Sequence, residues 1–399
     1  MTVHPFASTH CRRCGESGEY RNISLSRNRL LRRCSKCGIT DTQKLPQLRK
    51  HIIYLDQHFL SHAFRGTVTP FVEAAHRVNN LVAKQVLISP WSDYHMTETH
   101  LWRHSKSAQL WSFIKKTALG KRFRQPMEVT CRQFDRQFDA FRTGTAPVLD
   151  VFPDDALERN VHDWSDFIWI DVGRSYDDSD ALRDKNIRNV QKLKQLLIAC
   201  KTSTSSFDND VLSEVNAYAQ HLIDLHNRYL LSFTSGNFET AMNSLDAAEP
   251  LRRLIEAAAS DSNPAKSVES FLTSDHFRYT PEVDIAARLL AVLKKRSRAG
   301  RSLNRLSGIL YDLDAIRFYA PYCDAIFVDK EMRHCLLDTD GQLAKRYNMR
   351  VFSSDTWVEF HEYLNKLDEK ASRLEPDPRQ IYAISQFNRH DDSGEQDSR

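Results

Sequence analysis

The chain has 399 residues and a net charge of +4, with 41% apolar and 27% charged residues. This balance is typical of soluble globular proteins, and no apolar run approaches the roughly 18 residues of a membrane span. The N-terminal MTVHPFASTH lacks the apolar segment of a secretory signal. We therefore expect neither a membrane protein nor an exported one.

The first predicted element is a metal-binding module built on two Cys-x-x-Cys motifs. Its candidate ligands are Cys11, Cys14, Cys34 and Cys37. Four thiolates in tetrahedral array suit Zn²⁺ and leave no open position for a substrate, so a structural zinc is expected. Each motif ends in a glycine, Gly15 or Gly38, as a tight metal-binding turn requires. The segment resembles a zinc ribbon over about residues 8–42. The alternative is two chance pairs of reduced cysteines.

The other four cysteines are scattered through apolar surroundings and give no second motif. They are Cys131, Cys200, Cys323 and Cys335. One metal site with ordinary buried thiols indicates a reducing compartment, which predicts a cytoplasmic location.

Positive charge is concentrated at the front of the chain. Residues 1–50 contain eleven lysines and arginines against three acidic residues, a net charge of +8. Arginines at positions 27, 29, 32 and 33, with Lys36, crowd the predicted ribbon near its second cysteine pair. Such a basic face can neutralise phosphates, or it can be a solvated surface that keeps a small module soluble. Because residues 1–45 hold no hydrophobic core of their own, we expect them to fold around the metal.

Short apolar strands then alternate with helices. HIIYLDQHFLSHAF predicts a strand over residues 52–55 that stops at Asp56 and feeds a helix. A second helix precedes a strand at 86–88, and residues 92–119 are predicted as one long helix with Ser92 as its N-cap.

Residues 120–300 show the helical period throughout, and the phenylalanines at 134–141 are assigned to the core. The alternation returns after residue 304, with strands at 325–328 and 350–353. Such alternation predicts an α/β fold with a parallel sheet covered on both faces. The tail HDDSGEQDSR has nothing apolar to bury and is expected to be disordered.

Three aspartates are predicted to meet at the end of this sheet. Asp56 and Asp329 each end a strand, and Asp312 is placed at the start of the helix before PYCD. Ligands of α/β sheets bind beyond the carboxyl ends of the strands. Converging carboxylates repel one another unless cations lie between them, and Mg²⁺ or Mn²⁺ suits such oxygen ligands. Two such ions can activate a water and stabilise the leaving oxygen of a phosphodiester.

At these residues the sequence resembles the PIN-like nuclease family. The segments that carry the resemblance are IIYLDQHFLS, ISPWSDYHMTET and DLDAIRFYAPYCDAIFVDKEM. The resemblance implies catalytic metal ligands at Asp56, Glu98, Asp312 and Asp329, with Ser92 and His95 in the same segment as Glu98. Second choices are Asp314, Asp324 and Asp355.

The resemblance also implies the domain organisation. A zinc ribbon (1–45) precedes a PIN-like core in two parts (50–105 and 304–370), which a long helical insertion (106–303) separates. Residues 371–399 form a tail that is largely disordered at its end. The insertion could cover the cleft, select the substrate or bind a partner protein.

The leading hypothesis is an endonuclease dependent on Mg²⁺ or Mn²⁺, acting on RNA more than on DNA, with the ribbon as a docking module. The family implies products with a 5′-phosphate and a 3′-hydroxyl, and a defence or toxin-like role. Asp56 and Asp329 could instead be plain strand terminators or helix N-caps. A second hypothesis is a non-catalytic scaffold that binds nucleic acid or protein, and a third, a phosphatase, lacks a nucleophile motif. The acidic pairs at 154–155 and 177–178 are predicted to be solvated loop charge.

Overall fold

The computed structural model describes residues 3–4, 8–102, 104–148, 150–165, 179–301 and 306–384. Over these residues the fold is mixed α/β, with a parallel sheet and many helices, as the alternation of strands and helices predicts. In the described part of the chain, no helix is both long enough and apolar enough to cross a membrane.

The N-terminal module is an antiparallel sheet of short strands, in the order β2-β3-β4-β5. The strands up to this point in the chain are β1 (Val3–His4), β2 (Ser8–Thr9), β3 (Tyr20–Ser26), β4 (Arg29–Cys34) and β5 (Thr40–Lys44). We refer to residues 8–44 as the ribbon.

The ribbon has apolar support as well as its cysteines. Leu30 on β4 is fully buried and packs with Leu45, Trp164, Ile381 and Tyr382. Residues 1–45 thus share an apolar cluster with distant parts of the chain, in addition to the expected fold around the metal. Three of the six buried members are distant in sequence, namely Trp164, Ile381 and Tyr382, so the composition of the segment alone did not indicate the cluster.

The next elements form the first half of the parallel sheet and its cover. They are β6 (His51–Leu55), α1 (Gln57–Arg65), α2 (Thr69–Ala83), β7 (Leu87–Ile88), α3 (Asp93–His100) and α4 (His104–Ala118). The prediction of one continuous helix over residues 92–119 is wrong, because α3 ends at His100 and α4 begins at His104. There the N–H of Trp102 bonds the carbonyl of Thr99, three residues back, and the Arg65 guanidinium lies 4.5 Å from the centre of the Trp102 ring.

The region from 120 to 300 is helical over much of its described length. Its helices are α5 (Pro126–Arg142), α6 (Ser179–Ala199), α7 (Phe207–Thr234), α8 (Phe238–Ala257), α9 (Pro264–Leu272), α10 (Asp275–Arg278) and α11 (Pro281–Arg298). Phe134 and Phe138 are buried in a cluster with Phe271 and Phe277, which confirms their core assignment.

One of the acidic pairs differs from expectation. Asp155 is buried and lies 2.6 Å from the guanidinium of Arg136, so the prediction of a solvated loop charge is wrong for this residue. Arg136 on α5 supplies the charged partner that a buried carboxylate requires. The pair at 177–178 lies outside the described residues.

The remaining elements complete the parallel sheet. They are α12 (Leu306–Tyr319), β8 (Ala325–Phe327), α13 (Lys330–Leu336), α14 (Leu343–Arg346), β9 (Arg350–Phe352), α15 (Trp357–Ser372), α16 (Pro378–Ile381) and β10 (Ala383–Ile384). Part of the segment predicted as a tail is thus structured, and β10 pairs with β1. The predicted disorder at the end of the tail falls on residues 385–399, outside the described residues.

The four parallel strands lie in the order β7-β6-β8-β9 and carry helices on both faces. On one face Ile52, Tyr54 and Ile326 pack against α6, α11, α12 and α13. On the other face Ile53 and Phe327 pack against α1, α2, α4 and α15. Helices α6 and α11 therefore pack into the same core as the sheet although they belong to the predicted insertion, and its predicted boundary at 105–106 falls inside α4.

Candidate active site

Asp56 and Asp329 lie side by side where the two central strands end. Strands β6 and β8 are parallel neighbours with Leu55 paired to Phe327, and the Asp56 N–H donates to the Phe327 carbonyl at 3.0 Å. Each aspartate directly begins a helix, α1 or α13. Both carboxylates therefore lie at one edge of the sheet, here called the carboxyl edge.

Both aspartates are helix N-caps, which is the structural role that the sequence left open. Oδ1 of Asp56 accepts a hydrogen bond from the Phe59 N–H at 2.9 Å, and Oδ1 of Asp329 accepts from the Met332 N–H at 2.7 Å. Asp56 is only 2% exposed, and its Oδ2 is buried without a hydrogen-bond partner. Leaving a buried carboxylate oxygen unpaired is costly. Helix capping therefore explains the position of Oδ1 but not the burial of Oδ2.

Glu98 reaches the site on α3, and this helix is fixed against the end of β6. The Gln57 side-chain amide donates to Oγ1 of Thr99 at 3.0 Å, which joins the start of α1 to α3. Ser92 caps α3 as predicted, and it forms a reciprocal capping box with His95. Glu98 follows His95 by three residues, almost one helical turn.

His95 is a positioning residue with both ring nitrogens in use. Nδ1 accepts from the Ser92 N–H at 3.0 Å, so Nε2 carries the proton and donates to the Leu55 carbonyl at 2.8 Å. The ring also stacks on Tyr54, with ring centres 5.0 Å apart. Burial lowers the pKa of His95 to about 4, which keeps it neutral. This histidine therefore holds α3 at the end of β6 and has no nitrogen free for a metal.

Asp312 comes from α12, and it lies in the middle of that helix. Its predicted place at the start of the helix is wrong, because α12 begins at Leu306. Burial raises the pKa of Asp312 well above its usual value, and the charges of Asp56, Glu98 and Asp329 raise it further. Asp312 therefore faces the three other predicted acids.

The same mutual influence is seen from the other carboxylates. Burial raises the pKa of Asp56 to about 7, with a further contribution from the charge of Asp329. Burial also raises the pKa of Glu98 to about 8, with a contribution from Asp56. We call Asp56, Glu98, Asp312 and Asp329 the acidic cluster. Four separate elements contribute one carboxyl group each.

The second-choice acids lie outside this cluster. Asp314 lies 3.2 Å from the Arg317 guanidinium, and its charge is not among those that raise the pKa of Asp312. Asp324 precedes β8, and its Oδ2 accepts from the Ile52 N–H at 2.8 Å at the opposite edge of the sheet. Asp355 is exposed and bonds the Ser353 hydroxyl.

Sequence reasoning missed two side chains at the site. Tyr54 is buried beside the cluster, where burial, and then the charge of Glu98, raises its phenol pKa well above the usual value. His58 is exposed in the first turn of α1, close enough to Asp329 to feel its charge. The sequence feature that could have identified them is that each residue lies two positions from Asp56.

The predicted zinc ligands are brought together at one end of the ribbon. Sγ of Cys11 lies 3.6 Å from Sγ of Cys37, and Sγ of Cys14 lies 3.7 Å from Sγ of Cys34. A tetrahedral zinc with Zn–S distances of about 2.3 Å separates its sulfurs by about 3.8 Å. The four cysteines therefore fit a zinc ion, as predicted.

The local backbone also has the geometry of two metal-binding turns. The Gly15 N–H donates to the Cys11 carbonyl at 2.8 Å, and the Gly38 N–H donates to the Cys34 carbonyl at 3.0 Å. Both glycines have a φ near +70°, which side chains rarely adopt.

The two groups of candidate ligands differ in how closely their atoms approach one another. Within the described residues, the cysteines are the only group of three or more possible metal ligands whose atoms all lie within 4.8 Å of one another. The acidic cluster is more open than the shell of a single ion. Two ions about 3.5–4 Å apart use ligands spread over a wider volume, and the acidic cluster is compatible with that arrangement.

Comparison with known proteins identifies no relative of this chain. No protein-family model, no curated protein and no solved structure matches this chain.

Proposed function

We propose that this protein is an endonuclease that depends on Mg²⁺ or Mn²⁺ and hydrolyses phosphodiester bonds in nucleic acid. The observation that carries the proposal is the acidic cluster itself. Four elements bring four carboxyl groups close enough for their charges to raise the pKa values of Asp56, Glu98 and Asp312. A buried oxygen of Asp56 has no hydrogen-bond partner among the described residues. Divalent cations would relieve both the repulsion and the unpaired oxygen.

Each acid has a distinct part in this proposal. Asp56, Asp312 and Asp329 would hold the ions, and Glu98 would hold an ion or orient the attacking water. His95 would keep Glu98 in place through its bonds to Ser92 and Leu55. The preference for RNA over DNA, the 5′-phosphate product and a defence or toxin-like role rest on the resemblance to PIN-like nucleases alone.

A binding scaffold is the second candidate, and one surface favours it. The tip of the α7–α8 hairpin exposes five large apolar side chains. They are Leu230, Leu231, Phe233, Phe238 and Met242. Such a patch is typical of a contact with another protein. A partner there is compatible with catalysis as well as with a purely structural role.

The decisive comparison uses two aspartates on α12. Asp312→Asn should abolish cleavage of single-stranded RNA in Mg²⁺ or Mn²⁺, because the site loses one ligand charge. Asp314→Asn is the matched control, since it lies one half-turn away and pairs with Arg317. It should cleave at the wild-type rate. Cleavage by Asp312→Asn at the wild-type rate, or equal activity of the wild type in EDTA, would refute the proposal.

A further inference from the structure

One face of the ribbon sheet places like charges directly opposite each other. In the strand register Arg21 is paired with Arg33, and Arg29 is paired with Lys44. All four side chains are exposed. We call these four residues the outer face. Like charges directly opposite each other destabilise a sheet, so the arrangement works against the stability of the ribbon.

Of the three acidic residues of the ribbon, Asp41 lies on the other, inner face of the sheet, and Glu16 and Glu19 bond other groups. Asp41 is opposite Arg32 and accepts from the Tyr20 hydroxyl at 3.3 Å, on the inner face with the buried Cys34. Glu16 bonds the ammonium of Lys36, and Glu19 bonds the hydroxyl of Ser35.

The outer-face cations have no ion pair within the described part of the chain. No carboxylate there pairs with Arg29, Arg33 or Lys44. Arg21 donates to a neutral group, the Gly18 carbonyl, at 3.0 Å.

The basic residues that the sequence grouped together are thus divided between two faces. Arg32 points inward, where its Nε donates to the Asn22 side chain at 2.9 Å. The Asn22 amide in turn donates to the Ile381 carbonyl at 2.9 Å, so Arg32 supports the attachment of the ribbon. The outer face, by contrast, is exposed to solvent and can meet an external anion.

The chain connects the ribbon to the edge of the parallel sheet that lies opposite the acidic cluster. The ribbon joins the core at the start of β6, and Asp56 follows the end of the same strand. A five-residue strand is about 17 Å long. A molecule that contacts both sites must therefore extend at least this far along the protein.

We propose that the outer face binds the phosphate backbone of the same nucleic acid whose phosphodiester is cleaved at the acidic cluster. This proposal rests on the proposed function for the identity of its partner. Three of the four cations are arginines, whose guanidinium groups match phosphate oxygens with two parallel hydrogen bonds. A membrane surface fits less well as a partner, because membrane binding needs a broad apolar face beside the cations. On β3 and β4 the large apolar side chain left exposed is that of Ile23, which is too little for such a face.

The separation of the two sites makes substrate length decisive. In a duplex, 17 Å corresponds to about five base pairs. A short oligonucleotide can reach only one of the two sites. The outer face should therefore increase the affinity for long substrates and leave the cleavage of short ones unchanged.

The test measures binding and cleavage separately. Arg29→Gln combined with Arg33→Gln removes two outer-face charges, and Lys201→Gln combined with Lys266→Gln removes two exposed charges in the helical region as a matched control. Binding to labelled RNAs of roughly 40 and roughly 3 nucleotides is measured without added Mg²⁺ or Mn²⁺ over a range of salt concentrations. No chelator is used, because it would also remove zinc from the four cysteines. Zinc content and melting temperature report whether the ribbon remains folded.

The outer-face variant should lose about one unit of salt slope per arginine with the long RNA, and it should cleave the short RNA at the wild-type rate. The control pair should match the wild type with both RNAs. An unchanged salt slope for a variant that retains zinc would overturn the proposal. So would loss of binding to vesicles of anionic phospholipid without loss of RNA binding. Because binding is measured without added Mg²⁺ or Mn²⁺, it does not depend on the nuclease proposal, whose failure would appear in the cleavage assays instead.

Discussion

At the scale of single residues, Asp56 and Asp329 combine a local role with a wider one. Each carboxylate caps a helix through Oδ1. The pKa values of Asp56, Glu98 and Asp312 are raised by burial and by the other acids. Capping requires an acceptor oxygen and no charge, whereas cation binding requires the charge. Substitution by asparagine separates these requirements, since asparagine is as good an N-cap as aspartate.

We therefore expect Asp329→Asn to abolish metal-dependent cleavage while α13 keeps its cap. Removal of one negative charge should also relieve repulsion, so the variant in EDTA should be as stable as the wild type or more stable by roughly 1–3 kcal/mol. Cleavage assays beside thermal melting in EDTA provide the measurement. A variant that loses stability and keeps its activity would identify Asp329 as a cap only.

At the scale of elements, the ribbon is supported from two sides. The cysteines close one end of its sheet, and Leu30 anchors the inner face against Ile381 and Tyr382. Loss of the metal would leave four sulfur atoms crowded within 4.8 Å without a cation. Their repulsion should loosen the two cysteine turns first, while the apolar contacts hold the other end of the sheet.

Cys34→Ser should consequently release zinc and destabilise the ribbon, with little effect on melting of the parallel-sheet core. Cys200→Ser is the matched control, because Cys200 is a free and only half-buried thiol distant in sequence from the ribbon. Metal analysis and hydrogen exchange over residues 8–44 would show the difference. A full equivalent of zinc bound to the Cys34→Ser protein would contradict the assignment of the four ligands.

At the scale of the whole molecule, the acidic cluster couples stability to pH and to divalent cations. The folded-state pKa of Asp56 is raised from 3.8 to about 7, and that of Glu98 from 4.5 to about 8. Well below pH 4 both groups are protonated in the folded and the unfolded chain. As the pH rises, the unfolded chain releases these protons first, so the free energy of unfolding falls until about pH 8.

We expect the free energy of unfolding of the metal-free protein to fall between about pH 4 and pH 8 because of this cluster. Mg²⁺ or Mn²⁺ should increase the free energy of unfolding more at pH 8 than at pH 5. His95, with its pKa lowered to about 4, contributes in the opposite direction below pH 6.5. The measurement is therefore the difference between the wild type and Asp56→Asn across that range. Parallel profiles for the two proteins, with no effect of divalent cations, would show that the acids are not coupled to folding.

The sequence by itself determined the features that depend on near neighbours. The spacing of the cysteines predicted a four-sulfur site, and the apolar runs before Asp56 and Asp329 predicted strands that lead into helices. Alternation of strands and helices predicted the parallel sheet. These predictions succeed because turn geometry, capping and strand burial are set within a few residues of chain.

The tertiary structure alone decided which groups meet across long distances in sequence. Glu98 and Asp312 are 214 positions apart, and only the packing of α3 and α12 beside the sheet brings them together. Leu30 packs with Trp164, Ile381 and Tyr382, which are distant in sequence, so residues 1–45 by themselves showed no sign of this cluster. Which arginines of the ribbon face solvent depends on strand register, and a shift of one residue would exchange Arg32 and Arg33 between its two faces.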